Sequence, residues 1–141
     1  KPKAGNIVTE DGEVLGKHNG LFNYTIGQRR GLGIAYKHPL YVIGFNGDRN
    51  EVIVGPNERL FTNRMICKFY NFLDDTIHKE LKAEGKIRYA ANPSPCTARI
   101  LDDDTMEVIF EEPQRAITPG QSVAFYNGTQ LLGGAVIDRV C

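Results

Sequence analysis

The sequence predicts an all-β protein on three observations. Its apolar residues fall in short runs rich in Val, Ile, Tyr and Phe. Asp-Gly and Asn-Gly pairs and other Gly/Asn/Asp turn clusters separate those runs at close spacing. No long stretch sustains the 3.6-residue period of an amphipathic helix.

In chain order, Ile7-Val8-Thr9 and Val14-Leu15-Gly16 flank Glu10-Asp11-Gly12 and predict a first hairpin. A glycine-rich segment, HNGLFNYTIGQRRGLGI over residues 18–34, follows. Leu40–Phe45 and Glu51–Val54 flank Asn46–Asn50 and predict a second hairpin, after which Pro56–Leu60 reads as a turn or a single helical turn. A new strand set opens with Met65–Phe72. Lys86-Ile87-Arg88-Tyr89 reads as a strand behind an acidic, lysine-containing stretch that fits a short helix or a strand plus turn. Thr97–Leu101 and Met106–Phe110 flank Asp102–Thr105 as a third hairpin. Gln121–Tyr126 and Gln130–Leu132 flank Asn127-Gly128 as a fourth, whose last strand runs through Gly133–Ile137.

Short strands of this kind build barrels or sandwiches. The break near residue 63 predicts two small β-units, 1–63 and 64–141, with one continuous barrel as the alternative topology. With 141 residues, 41% hydrophobic and 24% charged, the chain has a globular composition. Its 17 basic and 17 acidic side chains cancel, so net charge supplies no drive towards nucleic acid. Residues 1–63 hold 8 basic and 6 acidic groups and residues 64–141 hold 9 and 11, too small an asymmetry to identify a partner. Local basic clusters still act, because screening weights near charges over the total. Three cysteines (Cys67, Cys96, Cys141) form no CxxC or other metal-ligand spacing. With no signal-peptide pattern, they point to reduced thiols and a cytoplasmic location. No apolar run approaches the roughly 18 residues of a membrane helix, so no membrane partner is expected.

The glycine-rich segment carries the strongest chemical signal. Gly27, Gly31 and Gly33 give GxxxGxG, which is neither the dinucleotide GxGxxG nor a P-loop with its Gly-Lys-Ser/Thr. Glycine also serves bends in β-structures without any ligand. Against a purely structural bend stand Gln28, Arg29 and Arg30: guanidinium forks suit phosphate, and Gln reads base or ribose edges. Tyr24 is a candidate for stacking on an unpaired base. Ligand contact, with RNA favoured, and a structural bend stand level on these residues. In the second half Arg88-Tyr89 pairs a permanent cation with an aromatic ring, which suits a phosphate clamp with base stacking as well as a surface Arg beside a half-buried Tyr. Thr118-Pro119-Gly120 is a turn that places Gln121 at a strand start, exposed to a ligand or simply a turn residue. His18 lacks a second ligand at metal spacing and reads as a hydrogen-bonded structural residue; His38 and His78 carry less signal. Asp102–Asp104 is a solvated turn without an EF-hand pattern. Neither a catalytic residue nor a metal site is expected within this chain. Cys67 reads as core, and Cys96, after Pro93-Ser94-Pro95, has no assigned role.

Several blocks together resemble the tRNA-specific 2-thiouridylases, which replace the 2-oxygen of the wobble uridine with sulfur. They are Gly16-Lys17-His18-Asn19-Gly20, Tyr24–Ile34 (YTIGQRRGLGI), Pro39–Val42, Arg88-Tyr89, Thr118–Tyr126 and Leu132-Gly133-Gly134, in the family's order and spacing. Leu40 stands where the family usually has Trp, and Ala135 where a third Gly is common. The resemblance implies a central β-domain followed by a C-terminal β-barrel similar to the second domain of elongation factor Tu. It implies that Arg88, Tyr89 and Gln121 contact tRNA and that the Gly27–Gly33 loop lies near the catalytic centre. It further implies a parent enzyme with an N-terminal PP-loop domain in cis, which holds ATP and Mg through an SGGxDS-type loop. Two catalytic cysteines upstream, a sulfur-relay protein and tRNAs for Lys, Glu and Gln complete that picture. No SGGxDS occurs here and none of the three cysteines fits the catalytic motifs, so the chain, which starts at Lys1, is expected to be an inactive C-terminal fragment without a cofactor of its own. A stand-alone β-barrel protein-interaction or translation-factor-like module is the alternative.

Overall fold

The computed structural model describes residues 2–74 and 79–141; His78 lies outside them. The described chain divides into two units, 1–61 and 62–141.

The first unit holds β1 (Gly5–Thr9), β2 (Val14–His18), β3 (Tyr41–Asn46) and β4 (Glu51–Gly55). The two predicted hairpins form, β1 with β2 and β3 with β4. β1 also pairs in parallel with β4, with Ile7 opposite Val52, so the sheet order is β2-β1-β4-β3. That parallel pair was not legible in the sequence: the long connection from β2 to β3 is the crossover a parallel neighbour needs. Ile7, Val42, Val52 and Val54 bury one face, and Leu32 and Leu40 close it from the connection.

The second unit is a closed six-stranded barrel in the order β10-β5-β8-β7-β6-β9. Its strands are β5 (Phe61–Phe72), β6 (Glu80–Lys86), β7 (Ser94–Ile100), β8 (Thr105–Arg115), β9 (Ser122–Asn127) and β10 (Gln130–Val140). Closure removes the sheet edges, and inward positions such as Met65, Val108, Phe110, Val123, Phe125 and Ile137 fill the interior. One strand differs from the sequence reading. The strand is Glu80–Lys86, and Ile87–Ala90 bends away from it. The charges that suggested a helix or turn are its outward set: Glu80 and Lys82 are exposed while Gly85 is buried, a period of two. Arg88-Tyr89 therefore sits just past a strand end rather than within a strand.

Glu107 on β8 is buried and lies directly across from Arg99 on β7. It accepts from Arg64 Nε at 2.5 Å and Arg99 Nη2 at 2.9 Å. The Arg64 hydrogen bond and then Arg99 hold its carboxyl below the usual carboxylate range, against the opposing pull of burial.

Candidate nucleic-acid interface

In the first unit the connection between β2 and β3 presents the arginines. A 3-10 turn, Leu21–Asn23, starts it. Leu21, Tyr24, Ile26 and Ile34 then pack on the core beside buried Leu32, pinning the segment at several points. Gly27 N–H donates to the Val42 carbonyl at 2.8 Å and Val42 N–H to that of Gln28 at 2.9 Å, so the loop rides on the start of β3. Gly27, Gly31 and Gly33 hold φ of 92°, 76° and 68°, the left-handed region that side chains strain to enter. Gln28 folds its amide back on the loop's own main chain: Oε1 accepts from Thr25 N–H at 3.0 Å and Nε2 donates to the Arg30 carbonyl at 2.9 Å. That staple leaves Arg29 and Arg30 side by side and exposed. Among the described residues no ion pair takes either one. Arg29 borders an open cleft of about 780 Å³ that Tyr36, Lys37 and His38 also line.

His18 supports this loop from beneath. It is 2% exposed, its Nε2 donates to the Asn50 carbonyl at 2.7 Å, and its Nδ1 accepts from Gly20 N–H at 3.0 Å. Both ring nitrogens are thus committed to main chain, which leaves none for catalysis or a metal. Tyr24 meets the His18 ring edge-on at 5.9 Å and is half-buried, so it is part of this support rather than an open stacking platform.

Among the described aromatics of the barrel Tyr89 is the most open, 96% exposed, with the Lys86 ammonium 5.3 Å from its ring centroid. Arg88 is exposed too, yet its guanidinium donates to the Arg115 and Ala116 carbonyls, stapling the turn after β8 where Ala116 holds φ of 58°. Gln121 is exposed at the end of the same connection; its N–H donates to the Thr118 carbonyl and its own carbonyl accepts from Ile137 N–H. Arg88, Tyr89, Lys86, Ser122 and Tyr126 border one shallow groove. Lys86 and Tyr126 escaped sequence reasoning, because their shared location depends on β6 pairing with β9 across about 40 residues.

Two of the three thiols are not poised for chemistry. Cys67 and Cys96 are buried in the barrel, and burial pushes each up to about 12. Among the described residues no group of three or more His, Cys, Asp or Glu side chains is arranged to hold a metal ion.

Residues 62–137 match the family model described as an aminomethyltransferase β-barrel domain, and residues 1–56 the one described as a tRNA methyl transferase PRC-barrel domain. The chain is 46% identical over 136 residues to the tRNA-specific 2-thiouridylase MnmA of Clostridioides difficile strain 630, covering 96% of this chain and 38% of that protein. The chain belongs to the tRNA-specific 2-thiouridylase family. The Geobacter metallireducens 2-thiouridylase MnmA is likewise 46% identical, over 134 residues, 95% of this chain and 36% of that protein. A Clostridium botulinum Alaska E43 relative of the same name is 46% identical over 139 residues, 98% and 38% respectively. The chain thus spans about two fifths of the length of these 2-thiouridylases.

Proposed function

We propose that this chain forms the tRNA-holding β-domains of an enzyme that 2-thiolates the wobble uridine of tRNA, with the bond-making groups elsewhere in that enzyme. The observation that carries the reading is the pair Arg29-Arg30. These are two exposed guanidinium groups on a loop fixed by five tertiary anchors, without an ionic partner among the described residues. Pre-organised, unpaired forks favour a polyanion, since they need neither break a salt bridge nor order a loop on binding. Arg88, Tyr89 and Gln121 give the barrel basic, aromatic and polar groups of its own, and the names of the relatives support tRNA as the polyanion. Gln28 contributes by holding the loop, through the two bonds that orient Arg29 and Arg30.

The rest of the parent is part of the same proposal. ATP, Mg and the persulfide-bearing cysteine belong to a PP-loop domain in cis, sulfur comes from a relay protein, the tRNAs are those for Lys, Glu and Gln, and the enzyme is cytoplasmic. The chain by itself, with Cys67 and Cys96 buried as neutral thiols, is a binding part.

The test is binding of an unmodified tRNA transcript to the full chain between about 50 and 200 mM salt, a range over which phosphate contacts weaken steeply. Arg29→Ala with Arg30→Ala should reduce the magnitude of the log–log salt slope by about 1.5, from two lost contacts. Absence of binding by the wild-type chain, or an unchanged slope in the double variant, rejects the reading. Formation of 2-thiouridine by this chain with ATP and a sulfur donor would overturn the assignment of catalysis to another domain.

A further inference from the structure

Phe69 on β5 is unusual on two counts. It is 65% exposed, and its φ of 53° puts a bulky aromatic in the left-handed region, where side chains are strained. The register explains the conformation. Gly134 faces Asn71 and Val136 faces Lys68, so Ala135 alone lies opposite both Phe69 and Tyr70, a bulge in β5. Tyr70 packs on the barrel core and its hydroxyl donates to the Asp102 carbonyl at 2.9 Å, while Phe69 is left to solvent. Glycine or asparagine holds such a bulge with less strain and leaves no open ring. Neither the bulge nor the core calls for phenylalanine, which points to a contact outside the fold.

The surroundings of Phe69 on the β5-β8-β7 wall select the partner. Phe69 N–H donates to the Asp104 carbonyl and Leu101 N–H to that of Thr105, both at 3.0 Å, so Phe69 and Leu101 flank the base of the β7–β8 turn. Leu101 is itself 48% exposed. At the turn, Asp103 and Asp104 are exposed and enter no ion pair among the described residues. In the opposite direction along β7 and β8, Arg99 and Arg64 share the single carboxylate of Glu107 and leave a net positive charge. The wall thus runs acidic, apolar, basic. A closed barrel has no free strand edge to pair, so contact here is made by side chains. A second copy rotated by half a turn about an axis through the apolar centre sets each acidic turn over the other copy's arginines and Phe69 against its counterpart. Asp103 and Asp104 repel phosphate, which disfavours RNA on this wall. We propose that the β5-β8-β7 wall of the barrel is a self-association surface, a two-fold contact between copies of this chain. Two exposed apolar side chains per copy make a small centre beside the about 800 Å² per partner of a stable interface, so the pair is weak.

The test is sedimentation equilibrium of the full chain from about 10 µM to 1 mM, the range in which weak pairs form. The wild type should shift from monomer to dimer. Phe69→Asn, which suits the left-handed bulge, should raise the dimer dissociation constant about 10-fold or more, because the ring is lost from both copies. Its urea midpoint should stay at or above that of the wild type. Raising salt from about 50 to 500 mM should weaken the wild-type dimer, and Asp103→Asn with Asp104→Asn should flatten that dependence. A chain that stays monomeric throughout, or a dimer that Phe69→Asn leaves intact, overturns the proposal. So does a dimer that tightens with salt, since acidic turns over arginines must loosen. A clearly lowered urea midpoint in Phe69→Asn would show that the ring is kept for the fold, and overturns the assignment as well.

Discussion

Replacing His18 by Ala tests whether that residue is a structural pin. The substitution removes the acceptor of the buried Gly20 N–H and the donor to the Asn50 carbonyl, at 3.0 and 2.7 Å in the native fold. A buried amide left without a partner costs about 1–3 kcal/mol, and the vacated ring volume adds a cavity cost of similar size. Water entering the space recovers one bond, so the expected loss is about 3 kcal/mol with a floor of about 2. Lys17→Ala is the matched control. Lys17 is the next residue on the same strand and donates only an exposed bond to Asn6, so its loss stays within about 0.5 kcal/mol. Amide hydrogen exchange reports this unit separately from the barrel. A loss of 3 kcal/mol accelerates exchange at Ile7, Val52 and Val54 about 150-fold where exchange tracks stability. The barrel amides of Val108 and Phe125 should not change. Acceleration of the Ile7 and Val52 amides by less than about three-fold would refute the reasoning, as it would show that His18 leaves no unsatisfied group behind.

Two further outcomes concern the barrel. Glu107 titrates below its unfolded value, near 4.3, so the stability it lends is present above that value and is lost as pH falls through the depressed folded one. Urea midpoints of the wild type should therefore drop between about pH 5 and 3 more steeply than those of Glu107→Gln, and parallel pH profiles would remove Glu107 as the cause. Thiol labelling at about pH 8 should modify one cysteine rapidly, exposed Cys141, because Cys67 and Cys96 at about 12 hold only about one part in ten thousand as thiolate and are buried. Comparable labelling rates for all three would contradict that burial.

The hairpins were legible because their signals are local: a turn pair and two short apolar runs suffice for β1–β2, β3–β4, β7–β8 and β9–β10. The β1–β4 pairing and the β6–β9 seam were not, since each joins segments about 40 residues apart with no periodicity to mark the partner. The strand Glu80–Lys86 was obscured for a different reason. On a barrel wall the outward residues face water, so Glu80, Lys82 and Glu84 read as helix-like charge while the inward Gly85 gives no hydrophobic signal.

The same distinction explains which candidate residues kept their expected setting. Residue type shows what a side chain can bind, but its existing partners decide what remains to offer. Gln28 and Arg88 both suited RNA by chemistry, and both spend donors on main-chain carbonyls of a neighbouring turn. Arg29, Arg30 and Tyr89 are the groups those staples leave exposed. Each pairing has the form of a positioning residue next to a presenting one, which lowers the ordering cost when a ligand arrives. Variants of Gln28 and Arg88 therefore act on ligand binding through loop geometry, and a Lys at position 88, which replaces the planar fork with a single point donor, cannot hold both the Arg115 and Ala116 carbonyls in the same way.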